Sequence, residues 1–398
     1  MIKRNTLDTL QKLAGSFPVV SITGPRQSGK TTLAQYAFAD KPYISLEDLD
    51  NREHALHDPR GFLAQFPSGA VLDEVQRCPD LFSYLQGVVD RQREMGLFVL
   101  TGSQQFGLRA GISQSLAGRV GMLHLLPLAQ AELQASGHLP ESLDAFLYQG
   151  TYPPVYDRPV DPAQWYDNYV STYLERDVRQ LVNVQDMALF QRFLRVCAHH
   201  VGQLVNLTQI ANDCGITQKT VEAWLSVLEA SYLVMRLHPW YRNFNKRLVK
   251  TPKLYFYDTG LACWLLGIRA VGQVQFHALR GALFENLVVA ECHKHLFNLG
   301  ERPEIWFWRD RSGHEVDMVV ERQGQFTAVE VKSGQTLSQD QFKGLHYWQE
   351  LTGHEGSAAL VYGGVTAQQR TGIRVLPWQE LAGLCSIAAT ASTKPHSV

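Results

Sequence analysis

Apolar and polar positions along the first third of the chain form a repeating pattern that predicts a parallel α/β sheet. Between about residues 17 and 128, short apolar runs typical of buried strands alternate with longer amphipathic or polar segments typical of helices. The predicted strands are 18–23, 43–46, 69–74, 97–103 and 120–128, and the predicted helices are 32–39, 47–66 with a break at Asp58-Pro59, and 81–95. This strand–helix rhythm is typical of a parallel sheet covered by helices on both faces.

The pattern changes after Gly150. Residues 152–162 are dense in proline, and we predict that they are not helical and that they end the first domain. Beyond them, residues 165–182 and 187–199 carry apolar positions at helical spacing. We expect these two helices to form a small lid against the first domain.

A helix-turn-helix pattern follows at residues 204–236. A short helix at 207–214, a turn at Gly215-Ile216 and the N-cap residue Thr217 precede a second helix at 218–228. Residues 233–237 are expected to start a wing. The candidate DNA contacts are Gln218, Lys219, Arg242, Lys246 and Arg247. Because Glu222 on the second helix opposes DNA contact, a winged helix that packs against protein stays an alternative.

The last segment, from about residue 250, predicts a second α/β unit. Its predicted elements are helix 279–297, strands 304–308, 313–320 and 325–332, helix 339–351 and strand 358–362. On the third of these strands Glu330 and Lys332 point to one face, which Asp317 on the adjoining strand can share. Two carboxylates can hold magnesium and a lysine can activate water, with Glu285 completing the site. A salt-bridged pair of strands is the alternative.

Composition narrows the class of protein. The chain has 398 residues, enough for two or three domains, and a formal net charge of −1, so any nucleic-acid binding must come from a local patch. The six cysteines are scattered without a C-x-x-C pair, which argues against a zinc site and suits a reducing compartment. No apolar stretch is long enough to span a bilayer, and we expect a cytoplasmic protein.

One motif carries most of the chemical information. Residues Gly24 to Thr31 fit the spacing G-x-x-x-x-G-K-[ST] at every fixed position, between a predicted strand and a predicted helix. Backbone N–H groups of such a loop cradle phosphate oxygens, while Lys30 reaches the β- and γ-phosphates and Thr31 ligates magnesium. The predicted nucleotide-binding residues are Gly24, Pro25, Arg26, Gln27, Ser28, Gly29, Lys30, Thr31 and Thr32.

Further residues complete the predicted hydrolytic site. Asp73 and Glu74 end an apolar strand, and we assign Asp73 to magnesium and Glu74 to activation of the attacking water. Ser103, with Thr101 and Gln104 as rivals, is the candidate sensor of the γ-phosphate. Arg119 is the candidate for stabilising transition-state charge, in cis or in a neighbouring subunit, and an arginine paired on the surface is its alternative.

Taken together, the motifs resemble those of a family of bacterial and archaeal AAA-type P-loop ATPases. The C-terminal half of these proteins is a domain of unknown function that looks like the PD-(D/E)xK restriction-endonuclease fold. The resemblance rests on the runs GPRQSGKT at 24–31, LDEVQ at 72–76, LTGS at 100–103, SLAGR at 115–119, YLERD at 173–177, YFYDTGL at 255–261, FEN at 284–286, EVD at 315–317 and VEVK at 329–332.

The resemblance implies an α/β protein of three parts. These are an AAA-like P-loop ATPase core at 1–155, a helical lid plus winged helix-turn-helix at 156–250 and a PD-(D/E)xK-like domain at 251–398. It implies that the protein binds ATP with Mg²⁺ and that a winged helix links the ATPase to the C-terminal domain. In the nuclease fold, residues matching Glu285, Asp317 and Glu330 bind metal, and a residue matching Lys332 assists the water.

Three functions are compatible with these motifs. The leading hypothesis is an ATPase whose nucleotide state repositions a DNA-facing winged helix and nuclease-like domain. The first alternative is an ATP-gated, metal-dependent DNA nuclease. The second is a nucleotide-dependent switch that binds another protein and uses the C-terminal fold as an inert platform. A homo-oligomer is compatible with all three, and no membrane partner is expected.

Overall fold

The computed structural model describes residues 2–102, 112, 115–174, 186–240, 249–353, 356–370 and 372–384. The chain divides into two compact units. Unit 1 comprises Met1–Leu128, Ala230–Tyr232 and Phe297–Glu301, and unit 2 comprises Ala129–Glu229, Leu233–Leu296 and Arg302–Val398. The division into three domains at residues 155 and 250 remains a prediction.

Unit 1 is built on a five-stranded parallel sheet, as the strand–helix rhythm predicts. Its strands are β1 (Val19–Thr23), β2 (Tyr43–Ser45), β3 (Ala70–Asp73), β4 (Phe98–Gly102) and β5 (Val120–His124). Their order across the sheet is β2-β3-β4-β1-β5, and every neighbouring pair is parallel. β1, β3 and β4 are buried along their whole length, which is why they appear in the sequence as unbroken apolar runs.

Among the described residues of unit 1, five α-helices pack against this sheet. They are α1 (Leu7–Ser16), α2 (Lys30–Ala37), α3 (Leu49–His57), α4 (Pro59–Ala64) and α5 (Leu81–Gln92). The predicted break between α3 and α4 is confirmed at Asp58-Pro59, where the Asp58 side chain accepts a hydrogen bond from Gly61 N. One apolar cluster, around Phe82 and Phe98, includes residues of α3, α4 and α5. A second cluster, around Val20 and Leu33, includes residues of α1 and α2.

The helical part of unit 2 corrects one prediction. Its helices are α6 (Gln130–Ala135), α7 (Leu143–Gln149), α8 (Pro153–Asp157), α9 (Pro162–Tyr169), α10 (Met187–His199), α11 (Leu207–Cys214) and α12 (Gln218–Ala230). The proline-dense stretch is wrongly predicted to be non-helical, because Pro153, Pro154 and Pro162 stand in the first turn of α8 and α9, where no backbone N–H is needed, while Pro159 lies between the two helices. The prediction of α10 is confirmed. Helix 165–182 is replaced by α9 and a π-helical turn at Val170–Leu174, and its remainder lies outside the described residues.

The predicted pair of helices at 207–228 is present as α11 and α12. Gly215 takes the left-handed conformation after α11, and Thr217 Oγ1 accepts a hydrogen bond from Thr220 N at the start of α12. Strand β6 (Val234–Leu237) follows and pairs antiparallel with β7 (Lys253–Phe256), a strand that the hydrophobic pattern did not reveal.

The C-terminal part of unit 2 is a six-stranded mixed sheet. Its strands are β8 (Ile305–Arg309), β9 (Glu315–Arg322), β10 (Gln325–Lys332), β11 (Ser357–Tyr362), β12 (Gln368–Arg370) and β13 (Ile373–Pro377), in the order β12-β13-β11-β10-β9-β8. The predicted β9–β10 hairpin is confirmed. The described α-helices of this part are α13 (Thr259–Leu265), α14 (Val271–Val274), α15 (Arg280–Asn298) and α16 (Lys343–Leu351), and 3₁₀ helices cover Gln339–Phe342 and Trp378–Gly383. No helix in the described ranges has the length and apolar character needed to cross a membrane.

Candidate functional site

The P-loop, residues 24–31, joins the end of β1 to the first turn of α2. A Cβ atom at Gly24 would lie 2.0 Å from the carbonyl oxygen of Leu125, and Gly29 has a φ of 92°, so both positions require glycine. Lys30 Nζ donates hydrogen bonds to the carbonyl oxygens of Gly24 at 3.0 Å and Pro25 at 2.8 Å. The Ser28 hydroxyl is buried and has no hydrogen-bond partner within the described residues. The loop therefore has the tight backbone that the motif predicts.

Arg4 supports the P-loop from outside the motif. Its side chain is buried, with 6% of the residue exposed, and it donates from Nη1 to the Ser28 carbonyl at 2.7 Å and from Nη2 to the Leu126 carbonyl at 2.7 Å. The guanidinium thus ties the P-loop to the segment that follows β5. Sequence reasoning missed Arg4, because an arginine near the chain start carries no spacing signal.

Asp73, at the end of β3, accepts hydrogen bonds from three hydroxyl groups. Its Oδ2 lies 3.1 Å from Thr31 Oγ1 and 2.6 Å from the Tyr43 hydroxyl, while Oδ1 accepts from Thr101. Thr101 reaches Asp73 because β4 lies between β1 and β3 in the sheet. Burial, and then the hydrogen bond to Asp73, raises the pKa of Tyr43 far above its usual range, so this hydroxyl stays protonated and donates.

The structure brings Thr31 and Asp73 together, as a magnesium site requires. A carboxylate and a hydroxyl are the hard oxygen ligands that Mg²⁺ prefers. Glu74 follows in a left-handed conformation with a φ of 54°, and its Oε2 accepts a hydrogen bond from Gln76. This backbone conformation is unusual for a residue other than glycine and is typical of functional positions. The role of Glu74 in activating water stays a prediction.

The structure describes one of the other two predicted catalytic residues, Arg119, and not Ser103. Ser103 lies outside the described residues. Arg119 forms a bidentate ion pair with Asp90 on α5, with Nε–Oδ1 at 2.5 Å and Nη2–Oδ2 at 3.0 Å. This pairing matches the alternative of an arginine paired on the surface, and its assignment to transition-state charge remains a prediction.

Of the candidate DNA contacts, Gln218 and Lys219 are described and exposed at the start of α12. Gln218 donates to the Thr208 hydroxyl at 2.9 Å. Arg236, on β6, forms ion pairs with Glu222 at 2.7 Å and Glu229 at 2.6 Å. Arg242, Lys246 and Arg247 lie outside the described residues.

The four residues of the predicted nuclease-like site come together in unit 2, with three more residues that were not predicted to belong to this site. Lys253 Nζ lies 2.9 Å from Glu285 Oε1 and 2.5 Å from Glu315 Oε1. The Tyr255 hydroxyl donates to Glu285 Oε1 at 2.5 Å. The backbone N–H of Val331 donates to Asp317 Oδ2 at 2.8 Å, and Lys332 Nζ pairs with Glu330 and lies 3.7 Å from Asp317 Oδ2. We call these residues the acidic cluster: Lys253, Tyr255, Glu285, Glu315, Asp317, Glu330 and Lys332.

Burial perturbs the carboxyl groups of the acidic cluster. Burial, and then the charge of Asp317, raises the pKa of Glu285 to about 7 and that of Glu330 to about 8. Glu330 is 9% exposed, and its Oε2 is buried without a hydrogen-bond partner among the described residues. Within the same residues, however, no three His, Cys, Asp or Glu side chains are placed to hold a metal ion together. The two lysines are the cations that the cluster contains.

Lys253, Tyr255 and Glu315 were missed for a physical reason. Lys253 and Tyr255 lie on β7, which is separated from the nearest cluster residue, Glu285, by 30 or more positions. Only the pairing of strands and the packing of α15 brings them together. Glu315 had a local signal, since it stands two residues before Asp317 on β9 and so shares its face.

Comparisons with known proteins place this chain among uncharacterised relatives. It is 33% identical over 340 residues to the uncharacterised protein Rv2008c of Mycobacterium tuberculosis, covering 84% of this chain and 75% of that protein. The uncharacterised protein Mb2031c of Mycobacterium bovis matches with the same identity and coverage. The chain belongs to the same family as these two proteins.

Family models divide this member of the Rv2008c family into three stretches. Residues 16–134 match an AAA domain, so the parallel α/β sheet of unit 1 belongs to an AAA-type ATPase domain, as the motifs predict. Residues 140–271 and 280–381 each match a domain of unknown function, DUF8612 and DUF4143.

Solved structures resemble the chain only distantly. The Walker-type ATPase PABY2304 of Pyrococcus abyssi is 14% identical with a TM-score of 0.46, covering 67% of this chain and 96% of that one. RuvB of Thermotoga maritima is 17% identical with a TM-score of 0.30, covering 58% of this chain and 88% of that one. Neither similarity carries a functional conclusion.

Proposed function

We propose that the protein is a magnesium-dependent ATPase that uses ATP to reposition a winged helix and a nuclease-like domain acting on DNA. One observation carries the ATPase part: Asp73 gathers the hydroxyls of Thr31, Tyr43 and Thr101 beside the P-loop. Sheet order supports the same assignment, since it places the ends of β1, β4 and β3 side by side.

Each residue of the site has a defined task in this proposal. The P-loop backbone and Lys30 bind the phosphates, Thr31 and Asp73 hold Mg²⁺, and Glu74 accepts a proton from the attacking water. Bound magnesium would neutralise charge on the β- and γ-phosphates. Tyr43 and Thr101 orient the Asp73 carboxylate. Thr101 lies on β4, between the strand that leads into the P-loop and the strand that ends at Asp73, which is the position that a sensor of the γ-phosphate needs.

Two exposed residues support the DNA part of this function. Gln218 and Lys219 are exposed at the start of α12, the position at which a recognition helix contacts DNA. Against this, Arg236 is engaged by two glutamates and contributes no free charge. This pairing lowers the positive charge available to DNA phosphates, and a nucleotide-dependent switch that binds protein remains the alternative.

ATP hydrolysis measured with and without duplex and single-stranded DNA tests both parts. We expect turnover that depends on Mg²⁺ and rises when DNA is added. DNA affinity should fall steeply with salt and weaken in Lys246→Ala/Arg247→Ala. Turnover that DNA does not change, together with weak DNA binding at moderate salt, would favour the protein switch.

A metal-dependent nuclease is the second candidate function. The buried, unpartnered Oε2 atom of Glu330 favours it, because an orphaned carboxylate oxygen in a cluster of acids is suited to a cation. The pairing of Glu285 and Glu315 with Lys253 opposes it. Plasmid cleavage with Mg²⁺ or Mn²⁺ that disappears in Asp317→Ala and Lys332→Ala supports cutting, and no cleavage across varied DNA substrates and ions contradicts it.

A further inference from the structure

Three side chains form a hydrogen-bonded triangle directly behind the P-loop. Thr23 Oγ1 lies 2.8 Å from His124 Nδ1 and 3.1 Å from the Tyr232 hydroxyl. The Tyr232 hydroxyl lies 2.6 Å from the same His124 Nδ1. Thr23 is the last residue of β1 and the residue before Gly24, and His124 ends β5. All three residues belong to unit 1.

The triangle is fixed to the P-loop through the backbone. Leu125 N donates to the Thr23 carbonyl at 2.7 Å, and the Leu125 carbonyl occupies the space that a side chain at Gly24 would need. A change in the P-loop backbone at Gly24 therefore acts on Thr23 and on the residues that follow His124. The ring of Phe297 packs against His124 at 4.9 Å and limits its movement.

Tyr232 has an unusual backbone. It follows the last turn of α12, and the Leu233 N–H closes that turn on the Leu228 carbonyl at 3.0 Å. At this position Tyr232 has a φ of 55°, in the left-handed region that favours glycine and disfavours an aromatic residue. The tyrosine is 5% exposed, and its hydroxyl contacts both other members of the triangle. A strained position filled by a residue with such contacts is typical of a functional site.

We propose that Tyr232 is a positioning residue of the nucleotide site and that it transmits nucleotide occupancy to the end of α12. This inference rests on the proposed ATPase function. In the chain, Tyr232 stands between α12, the candidate recognition helix, and β6. When a nucleotide orders the P-loop, the Thr23 and His124 contacts fix the Tyr232 hydroxyl. That contact in turn stabilises the last turn of α12, so binding and helix stability are coupled.

Hydrogen exchange of the full chain tests the coupling without any knowledge of the partner. Amide exchange in peptides covering residues 218–237 is compared with and without a non-hydrolysable ATP analogue and Mg²⁺, and analogue binding is measured on the same samples. In the wild-type protein we expect exchange in these peptides to slow by about fivefold or more on binding. In Tyr232→Phe, which keeps the ring and removes the hydroxyl, analogue affinity should fall, because the coupling is reciprocal, and at saturating analogue the change in exchange should disappear.

Two further variants keep the test decisive. Thr23→Val removes the same link from the P-loop side with a side chain of the same shape, and it should give the same result if Tyr232→Phe does not fold. Tyr152→Phe is the matched control, because it removes a buried hydroxyl that pairs with Tyr169 at 3.0 Å in unit 2. The control should retain the nucleotide-dependent change in residues 218–237.

The outcomes separate the two proposals. If the wild-type protein binds the analogue and residues 218–237 do not respond, or if Tyr232→Phe and Thr23→Val respond as the wild type does, the role of Tyr232 is wrong and the ATPase proposal stands. If the wild-type protein does not bind the analogue, the proposed ATPase function fails and the inference fails with it.

Discussion

Replacing Lys253 by methionine should destabilise unit 2 strongly. The Lys253 ammonium is buried, with 4% of the residue exposed, and lies 2.9 Å from Glu285 and 2.5 Å from Glu315. Methionine keeps most of the side-chain volume and removes the charge. Breaking a buried ion pair from one side costs about 3–5 kcal/mol, because the partner carboxylates stay buried without their cation. Because the Tyr255 hydroxyl still donates a hydrogen bond to Glu285, the expected loss of unfolding free energy is at the lower end of this range, about 3 kcal/mol.

Urea unfolding followed by tryptophan fluorescence measures this loss. All eight tryptophans lie in unit 2, so the signal reports that unit alone. With a urea dependence of about 1–3 kcal/mol per molar, the midpoint should fall by about 1 M or more. The loss should be largest near pH 8.5, where Glu285, with a pKa raised to about 7, is ionised, and smaller at pH 5.5, where it is protonated.

Lys343→Met is the matched control. Lys343 pairs with Asp340 at 2.6 Å, a similar distance, but both side chains are 78% exposed, so removing the charge should not change the midpoint measurably. An equal effect of the two substitutions, or a loss at Lys253 below about 1 kcal/mol at pH 8.5, would refute the burial argument behind this prediction.

Three further predictions follow from the described contacts. Asp73→Asn should lower kcat/KM for MgATP by about 100-fold or more in steady-state assays, since it removes the carboxylate charge expected to hold Mg²⁺, and an unchanged Mg²⁺ dependence would contradict the assignment. Arg4→Gln should raise KM for ATP by about tenfold, because the Ser28 carbonyl loses a charged hydrogen bond, whereas Lys41→Gln, which removes an exposed bond to a carbonyl, should not. Glu285 and Glu330, with pKa values raised to about 7 and about 8, bind more protons in the folded state and should lower the stability of unit 2 as the pH rises from about 4.5 to 8, while His293, whose pKa burial lowers to about 4, offsets part of this loss below about pH 6.5. Glu330→Gln should flatten that dependence in urea midpoints, and an unchanged slope would contradict it.

Local patterns predicted the elements that are either buried on both faces or strongly amphipathic. Strands β1, β3 and β4 and helices α10, α11 and α12 fall at or near their predicted positions, because burial dictates an apolar run or a helical period. Strand β7 gave no such signal. It is short, it carries Lys253 and Tyr255, and its burial depends on pairing with β6 and on the carboxylates that surround it.

Site residues were likewise predictable only where their geometry is local in the sequence. The P-loop and Asp73 were predictable because their geometry is local, a turn between a strand and a helix and a carboxylate at a strand end. Arg4, Tyr43 and Tyr232 were not, because each acts through contacts with residues far away in the sequence. The prediction for the proline-dense stretch was wrong for another reason. Proline disfavours the interior of a helix, but it is tolerated in the first turn, where α8 and α9 carry it.

The most direct test of the central claim is ATP hydrolysis by the purified full chain, with binding of radiolabelled ATP measured in parallel. With Mg²⁺, the wild-type protein should bind and hydrolyse ATP, and Lys30→Ala should lose both. Glu74→Gln should retain bound ATP and hydrolyse it more slowly by a factor of at least about 100, because the amide cannot accept the proton of the attacking water. Normal turnover in both variants, or no binding and no turnover by the wild-type protein with or without DNA, would contradict the account.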